Sequence, residues 1–350
     1  MPPQQEYEAC LKGIWDRGWI TNNGPLVQKL EQKLKNYLRL NNILYVSNGT
    51  IALQFAIRVL GLKGEIITTP FTYIATTSSI VWENCKPVFV DIDSETLNID
   101  PEKIEKAFTS NTKAILATHC FGNPCDVEAI DQIAKKHNVK VIYDASHCFD
   151  TRYKGKSIFL WGDISTTSFH ATKLFHTVEG GAVFTKDNEL LSRMSYLRNF
   201  GHDGPEKFNG LGINGKNSEM HAAMGICNFK YIHKIIGKRK RQSEKYDLLL
   251  KKLKVQQLRI LPEVDLNYAY YPIIFQSETF ALQAKISLER ENIFPRRYFY
   301  PSLNNLNYVI KQCTPIADDI SSRILCLPLY HDLTETDQQK IANILIENES

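Results

Sequence analysis

The sequence predicts an α/β protein, with a mainly parallel central sheet, helices on both of its faces, and a smaller C-terminal α+β domain. Three observations carry this expectation. From about Asn42 to Asp187, short apolar, β-branched runs alternate with longer stretches of helical period, as in repeated βαβ units. Right-handed crossovers between parallel strands then distribute the helices over both faces. Beyond about residue 235 the alternation stops and a long charged helix precedes isolated strands, so residues 1–235 are read as the large domain and 236–350 as the small one.

The strands of the large domain are expected at Ile43–Val46, Glu65–Thr69, Pro87–Val90, Ala114–Thr118, Val139–Tyr143, Ile164–Ser168 and Ala182–Thr185. The helices between them are Thr50–Leu60, where Ile51, Phe55 and Val59 recur every fourth residue; Ile74–Trp82; Pro101–Phe108, with proline in the first turn; and Asp126–His137. A further helix is expected at Ser218–Lys234. The basic run Lys238-Arg-Lys-Arg241 opens another, ending near Lys254 and reading as a solvated face. Strands at Tyr268–Phe275 and Ile324–Pro328 enclose a helix at Phe280–Glu291.

Composition narrows the function. Hydrophobic residues are 43% and charged residues 23% of 350, which suits a globular chain with a substantial core. Forty-two Lys and Arg against 38 Asp and Glu leave a dispersed +4, no basis for a nucleic-acid surface, so small molecules are the expected ligands. The eight cysteines include no C-x-x-C pair and read as reduced core thiols. No signal-peptide pattern and no apolar stretch of about 18 residues is present, which gives a cytoplasmic expectation without a membrane.

Gly210-Leu-Gly-Ile-Asn-Gly-Lys-Asn217 fits G-x-G-x-x-G and misses the triphosphate loop by one residue, Asn217, which lacks the Mg²⁺-binding hydroxyl. Both motifs need a strand feeding into the glycines. Here a polar, turn-rich stretch, Gly201–Asn209, precedes them, so they are read as an irregular loop and not as an ATP or NAD site.

Ligands of open α/β sheets bind beyond the carboxyl ends of the strands. Three of these ends carry chemistry. Ser47-Asn-Gly-Thr50 offers a helix N-terminus with small residues: a phosphate cradle, or an ordinary N-cap. Asp144 emerges from an apolar strand and needs a partner, either a cationic heterocycle or a structural cap or ion pair. Lys173 follows Ser168-Phe-His-Ala-Thr and is either a solvated charge or a nucleophilic amine. His119, Cys120, Cys125, His147 and Cys148 fit no tetrahedral zinc spacing, and no metal is expected.

Six ordered segments, Ser47–Thr50, Thr69–Tyr73, Pro87–Asp93, His119–Pro124, Asp144–His147 and Ser168–Lys173, together resemble the DegT/StrS sugar-nucleotide aminotransferases. The resemblance runs from about Thr21 to Phe294-Pro-Arg-Arg-Tyr-Phe-Tyr-Pro301. It implies fold type I and the cofactor pyridoxal 5′-phosphate (PLP). Lys173 is then the residue that binds PLP as a Schiff base and shuttles the proton. Asp144 pairs with the pyridine nitrogen, and Gly49, Thr50 and Ser168 hold the phosphate. Tyr73 stacks on the ring, with Phe71 as its rival. His147 contacts the ring substituents, and His170 orients substrate or phosphate.

The resemblance further implies a homodimer with shared active sites, in which Asn214 or Lys216 serves the partner's phosphate. Arg296, Arg297 and Tyr298 would line the sugar-nucleotide site. The implied reaction is ping-pong transfer from L-glutamate to C4 of dTDP-4-keto-6-deoxyglucose, for amino sugars of surface glycans such as O-antigen. C3 amination of a dTDP-3-keto-6-deoxyhexose is the alternative. A P-loop protein lacks its strand, an NAD(P) reductase lacks its first-strand glycines, and a PLP-dependent sugar dehydratase would lack the lysine. A non-catalytic regulator would have little use for lysine, aspartate and cradle together.

Overall fold

A computed structural model describes residues 1–348. Every expected strand of the large domain is present within one or two residues. In space they run Leu44–Val46, Gly181–Phe184, Ile164–Ser168, Lys140–Asp144, Thr112–Thr118, Glu65–Thr68, Lys86–Phe89. Gly181–Phe184 is antiparallel to both neighbours, and the other pairings are parallel. Six strands therefore point their carboxyl ends the same way.

Alternation along the strands divides the core in two, because successive side chains leave opposite faces of a sheet. Ile115, Ala117, Val141 and Tyr143 pack on one face, with Val27, Leu30 and Leu34 of the helix Pro25–Leu38. Ala114, Leu116, Ile142 and Ile164 pack on the other, with Leu53, Phe55 and Ala56 of the helix Gly49–Val59. The helices Ile74–Trp82, Pro101–Lys106 and Val127–His137 lie where the periodicity puts them.

The helices Gln4–Arg17 and Pro25–Leu38 were not anticipated, although Val27, Leu30, Leu34 and Leu38 form a buried stripe at helical spacing. A distant residue fixes the start of the second one. Fully buried Glu219 accepts hydrogen bonds from the Leu26 and Val27 N–H groups, each at 2.9 Å. A carboxylate at a helix N-terminus satisfies two orphan donors and meets the positive end of the dipole.

The C-terminal region departs from expectation in two places. The helices expected at Ser218–Lys234 and from residue 238 are Glu219–Phe229 and Ile232–Leu249, so the break falls at Lys230–Tyr231 and the second helix runs through residue 235. Gly237 lies inside it, tolerated at about 1 kcal/mol. The strand expected at Tyr268–Phe275 is only Pro272–Ile274, because Tyr268 takes a left-handed φ of 52° that ends extended pairing. That strand pairs with Gln256–Gln257 and Ile324–Cys326 in a small antiparallel sheet. Tyr246, Leu288, Leu325 and Ile341 form the core beneath it.

Candidate active site

Strand register assembles the site. Thr118 pairs with Asp144 and Asp144 with Thr166, while Gly181 pairs with both Ser168 and Val46. The three chemistry-bearing ends seen in the sequence therefore share one edge of the sheet.

Asp144 is buried, and its carboxylate is held by side chains of neutral residues. Oδ2 accepts from Thr76 Oγ1 at 2.8 Å, and Oδ1 accepts from Ser146 Oγ at 2.6 Å and Ser146 N at 3.1 Å. Thr72 Oγ1 extends the network to Thr76 Oγ1 at 2.9 Å and Thr118 Oγ1 at 2.8 Å. No ion pair engages Asp144 among the described residues. A buried carboxylate oriented by hydroxyls and left without a paired cation suits a cationic heterocycle.

At the neighbouring ends the backbones approach closely. A Cβ at Gly49 would stand 2.9 Å from the Cβ of Ser168, and one at Gly181 would stand 2.5 Å from the Asn48 carbonyl. Asn48 Oδ1 takes the Ile51 N–H at 2.8 Å, and the helix it caps begins at Gly49, against which the Ser168 side chain lies. N–H groups at a helix start together with a hydroxyl form an anion cradle.

Lys173 is half-buried, and its amine makes no hydrogen bond or ion pair to a described residue. Its pKa is lowered to about 8, chiefly by burial, with Asp144 opposing the shift and Arg296 adding to it. A substantial neutral fraction near physiological pH is what an amine nucleophile requires. The lysine lies on the wall of a cleft of about 1070 Å³ between the two regions, with Arg296 and Tyr298 on the same wall.

The remaining sequence candidates divide. His147 is buried, and its Nδ1 accepts the Phe121 N–H at 3.2 Å. Burial first and Lys173 second push its pKa well down, so the ring is neutral and its proton sits on Nε2. Its ring lies 4.4 Å from that of Tyr270. Tyr73 is 62% exposed, ahead of the helix Ile74–Trp82, and is free to cover a ligand. Phe71 is not: it is fully buried against Phe121 and Phe299, the latter ring 5.1 Å away.

Arg297 requires a correction, because it does not line the cleft. Its guanidinium donates to Glu278 Oε1 at 2.8 Å and Ser322 O at 2.6 Å, and it stacks on Tyr300. Alternating direction along this extended segment sends Arg296 and Arg297 opposite ways. Arg296 instead donates to Tyr298 Oη at 3.3 Å.

His170 does not line that cleft, and its backbone N–H donates to Ser168 Oγ at 3.3 Å. Its Nδ1 contacts Thr172 Oγ1 at 2.9 Å and its Nε2 lies 3.5 Å from Glu179. Asn214 and Lys216 stay on their own loop. Asn214 bridges to Asn199, and Lys216 donates to Asn199 Oδ1 at 2.7 Å above the Phe200 ring.

The glycines of that loop serve packing: a Cβ at Gly212 would meet the Gly201 nitrogen at 2.3 Å, and one at Gly215 the Phe55 ring at 2.6 Å. His119 stacks on Tyr143, its Nδ1 taken by the Cys125 N–H and its pKa lowered to about 3 by burial.

Sequence reasoning missed Thr76, Thr72 and Ser146, which orient Asp144, and Tyr270, which borders His147. The Thr76–Thr77 pair in a predicted helix beside a strand end was the available hint. The donor set as a whole fits PLP: cradle for phosphate, Asp144 for ring nitrogen, Lys173 for aldehyde.

The chain is similar to known proteins over nearly its whole length. The model of the DegT/DnrJ/EryC1/StrS aminotransferase family matches residues 3–346. The chain is 40% identical over 354 residues to a dTDP-4-amino-4,6-dideoxy-D-glucose transaminase of Shigella dysenteriae, covering 99% of this chain and 96% of that protein. It is 39% identical to an Escherichia coli protein of the same name, with the same coverage. The crystal structure of DesI in the presence of its TDP-sugar product superposes with a TM-score of 0.93 at 29% identity, covering 99% of this chain and 90% of that one.

Proposed function

Since the chain belongs to the DegT/DnrJ/EryC1/StrS aminotransferase family, whose members are PLP-dependent sugar aminotransferases, we propose that it moves the amino group of L-glutamate to C4 of dTDP-4-keto-6-deoxyglucose. The observation that carries the choice of sugar is the 40% identity, over nearly the whole chain, to a transaminase named for dTDP-4-amino-4,6-dideoxy-D-glucose. When bound, PLP supplies an electron sink that lets a Cα–H bond of an amino acid ionise.

The chain's own residues do the rest. Lys173 Nζ, partly neutral at a pKa of about 8, takes the proton from the donor's Cα and later delivers one to the carbon that bore the keto oxygen. Asp144, fixed by Thr76 and Ser146, keeps the ring nitrogen protonated. Gly49, Thr50 and Ser168 bind the phosphate, Tyr73 covers the ring, and the neutral His147 presents its Nε2–H to a ring substituent. Arg296 and Tyr298, on the cleft wall with Lys173, meet the sugar nucleotide.

The active form is a homodimer. Phe200, Leu211 and Ile213 expose 50%, 71% and 43% of their surface around the loop that carries Asn214 and Lys216, an apolar collar suited to a second copy. The test is incubation with L-glutamate and a panel of 4-keto and 3-keto sugar nucleotides on dTDP, UDP and GDP, with products identified by NMR. A C4 amine on the dTDP sugar is expected; preference for a 3-keto substrate would refute the C4 assignment and leave PLP chemistry intact.

A further inference from the structure

The wall of the Lys173 cleft holds a cation that the chemistry above leaves unused. Arg239, on the helix Ile232–Leu249, lines the cleft together with Tyr270, Tyr298 and Arg296. Its Nη1 donates to Ala269 O at 2.8 Å, while its Nε is buried and has no hydrogen-bond partner. No acidic side chain pairs with it among the described residues. Burial pulls the guanidinium below its ordinary value, with Tyr270 opposing. Arginine nonetheless stays charged.

Tyr270 adds a second donor on the same wall. Its Oη is buried beside Tyr298, and burial first and Tyr298 second raise its pKa well above the ordinary value, so the phenol keeps its proton. The two acids on the cleft wall are already engaged: Glu291 pairs with Lys340 at 2.8 Å, and Asp337 caps the Thr334 N–H at 3.0 Å. A half-buried cation with no counter-ion is costly, and so is its buried, unsatisfied Nε donor. One anion would relieve both.

We propose that Arg239 and Tyr270 together bind the side-chain carboxylate of the amino donor, so that this subsite selects a dicarboxylic amino acid. A carboxylate offers two oxygens to a guanidinium edge and a phenol. Arg296 acts electrostatically on both Lys173 and Tyr270 and suits an anion nearer the reacting carbon. A diphosphate is bulkier, and the exposed Arg296 suits it better than this half-buried pair. The proposal rests on the transaminase reading.

The test uses the cofactor-loaded protein and the variants R239M, R239K and Y270F. Glutarate, a dicarboxylate with no amine to react, is titrated calorimetrically. The donor half-reaction is followed separately as loss of the yellow absorbance with L-glutamate or L-alanine. R239M is expected to weaken glutarate binding and raise the KM for L-glutamate at least about tenfold with kcat little changed, R239K to recover part, and L-alanine to be unaffected. Y270F, which keeps the ring, should show a smaller loss and stands in if R239M fails to fold.

Equal glutarate affinity in wild type and the folded variants would overturn the proposal, as would a loss confined to the sugar-nucleotide half-reaction. A wild type that L-glutamate does not bleach, but that binds glutarate through Arg239, would sink the transaminase reading and leave the carboxylate site standing.

Discussion

Thr76 Oγ1 donates to Asp144 Oδ2 at 2.8 Å across 68 residues of sequence, tying a helix on one face of the sheet to the carboxylate at the strand edge. This bond, with the two from Ser146, holds the acid in one orientation without neutralising it. Thr76→Val should therefore lower the melting temperature and weaken PLP binding about tenfold, the cost of one hydrogen bond to a charged group. Asp144→Asn should fold and bind PLP, yet lose about 10²–10³ in kcat. Melting curves and PLP titrations read the first, and steady-state turnover the second.

Lys173 gives a pH signature. Its folded pKa of about 8 is depressed by burial, so between that value and the ordinary lysine pKa of about 10.4 the unfolded chain binds more protons. Stability from this group thus rises with pH through that window, and below it the buried charge is a cost. Cofactor-free Lys173→Met protein should melt higher than cofactor-free wild type at neutral pH, the gap closing towards about pH 10. Lys173→Ala should form no Schiff base with PLP and transfer no nitrogen.

The cradle makes a steric prediction. A methyl group at residue 49 would collide with Ser168, so Gly49→Ala should weaken PLP binding more than Ser168→Ala does. Ser168→Ala removes one hydroxyl donor and should cost about tenfold in PLP affinity. Equal affinities in both variants and the wild type would place the phosphate elsewhere.

The two adjacent arginines should separate cleanly. Arg297 braces Glu278 and the Ser322 carbonyl, so Arg297→Met should lower the melting temperature and leave the KM for the sugar nucleotide unchanged. Arg296→Met should raise that KM and barely move stability. The opposite pattern would reverse their roles.

The alternating strand and helix periods, the small residues after the first strand, the acid ending an apolar run and the lysine on a loop were all legible in the amino-acid order. They determined the sheet, the direction of its strands and the chemistry at its edge, because periodicity and strand-end position are local properties of the chain. Tertiary structure alone decided the rest. It set Thr76 on Asp144, turned Arg297 away while Arg296 faces the cleft, buried Phe71 and left Tyr73 exposed, and brought Arg239 to the cleft with no acid paired to it among the described residues. Those outcomes depend on which side chains from distant segments reach the same few ångströms, and burial and charge act on that proximity, which no run of neighbouring residues encodes.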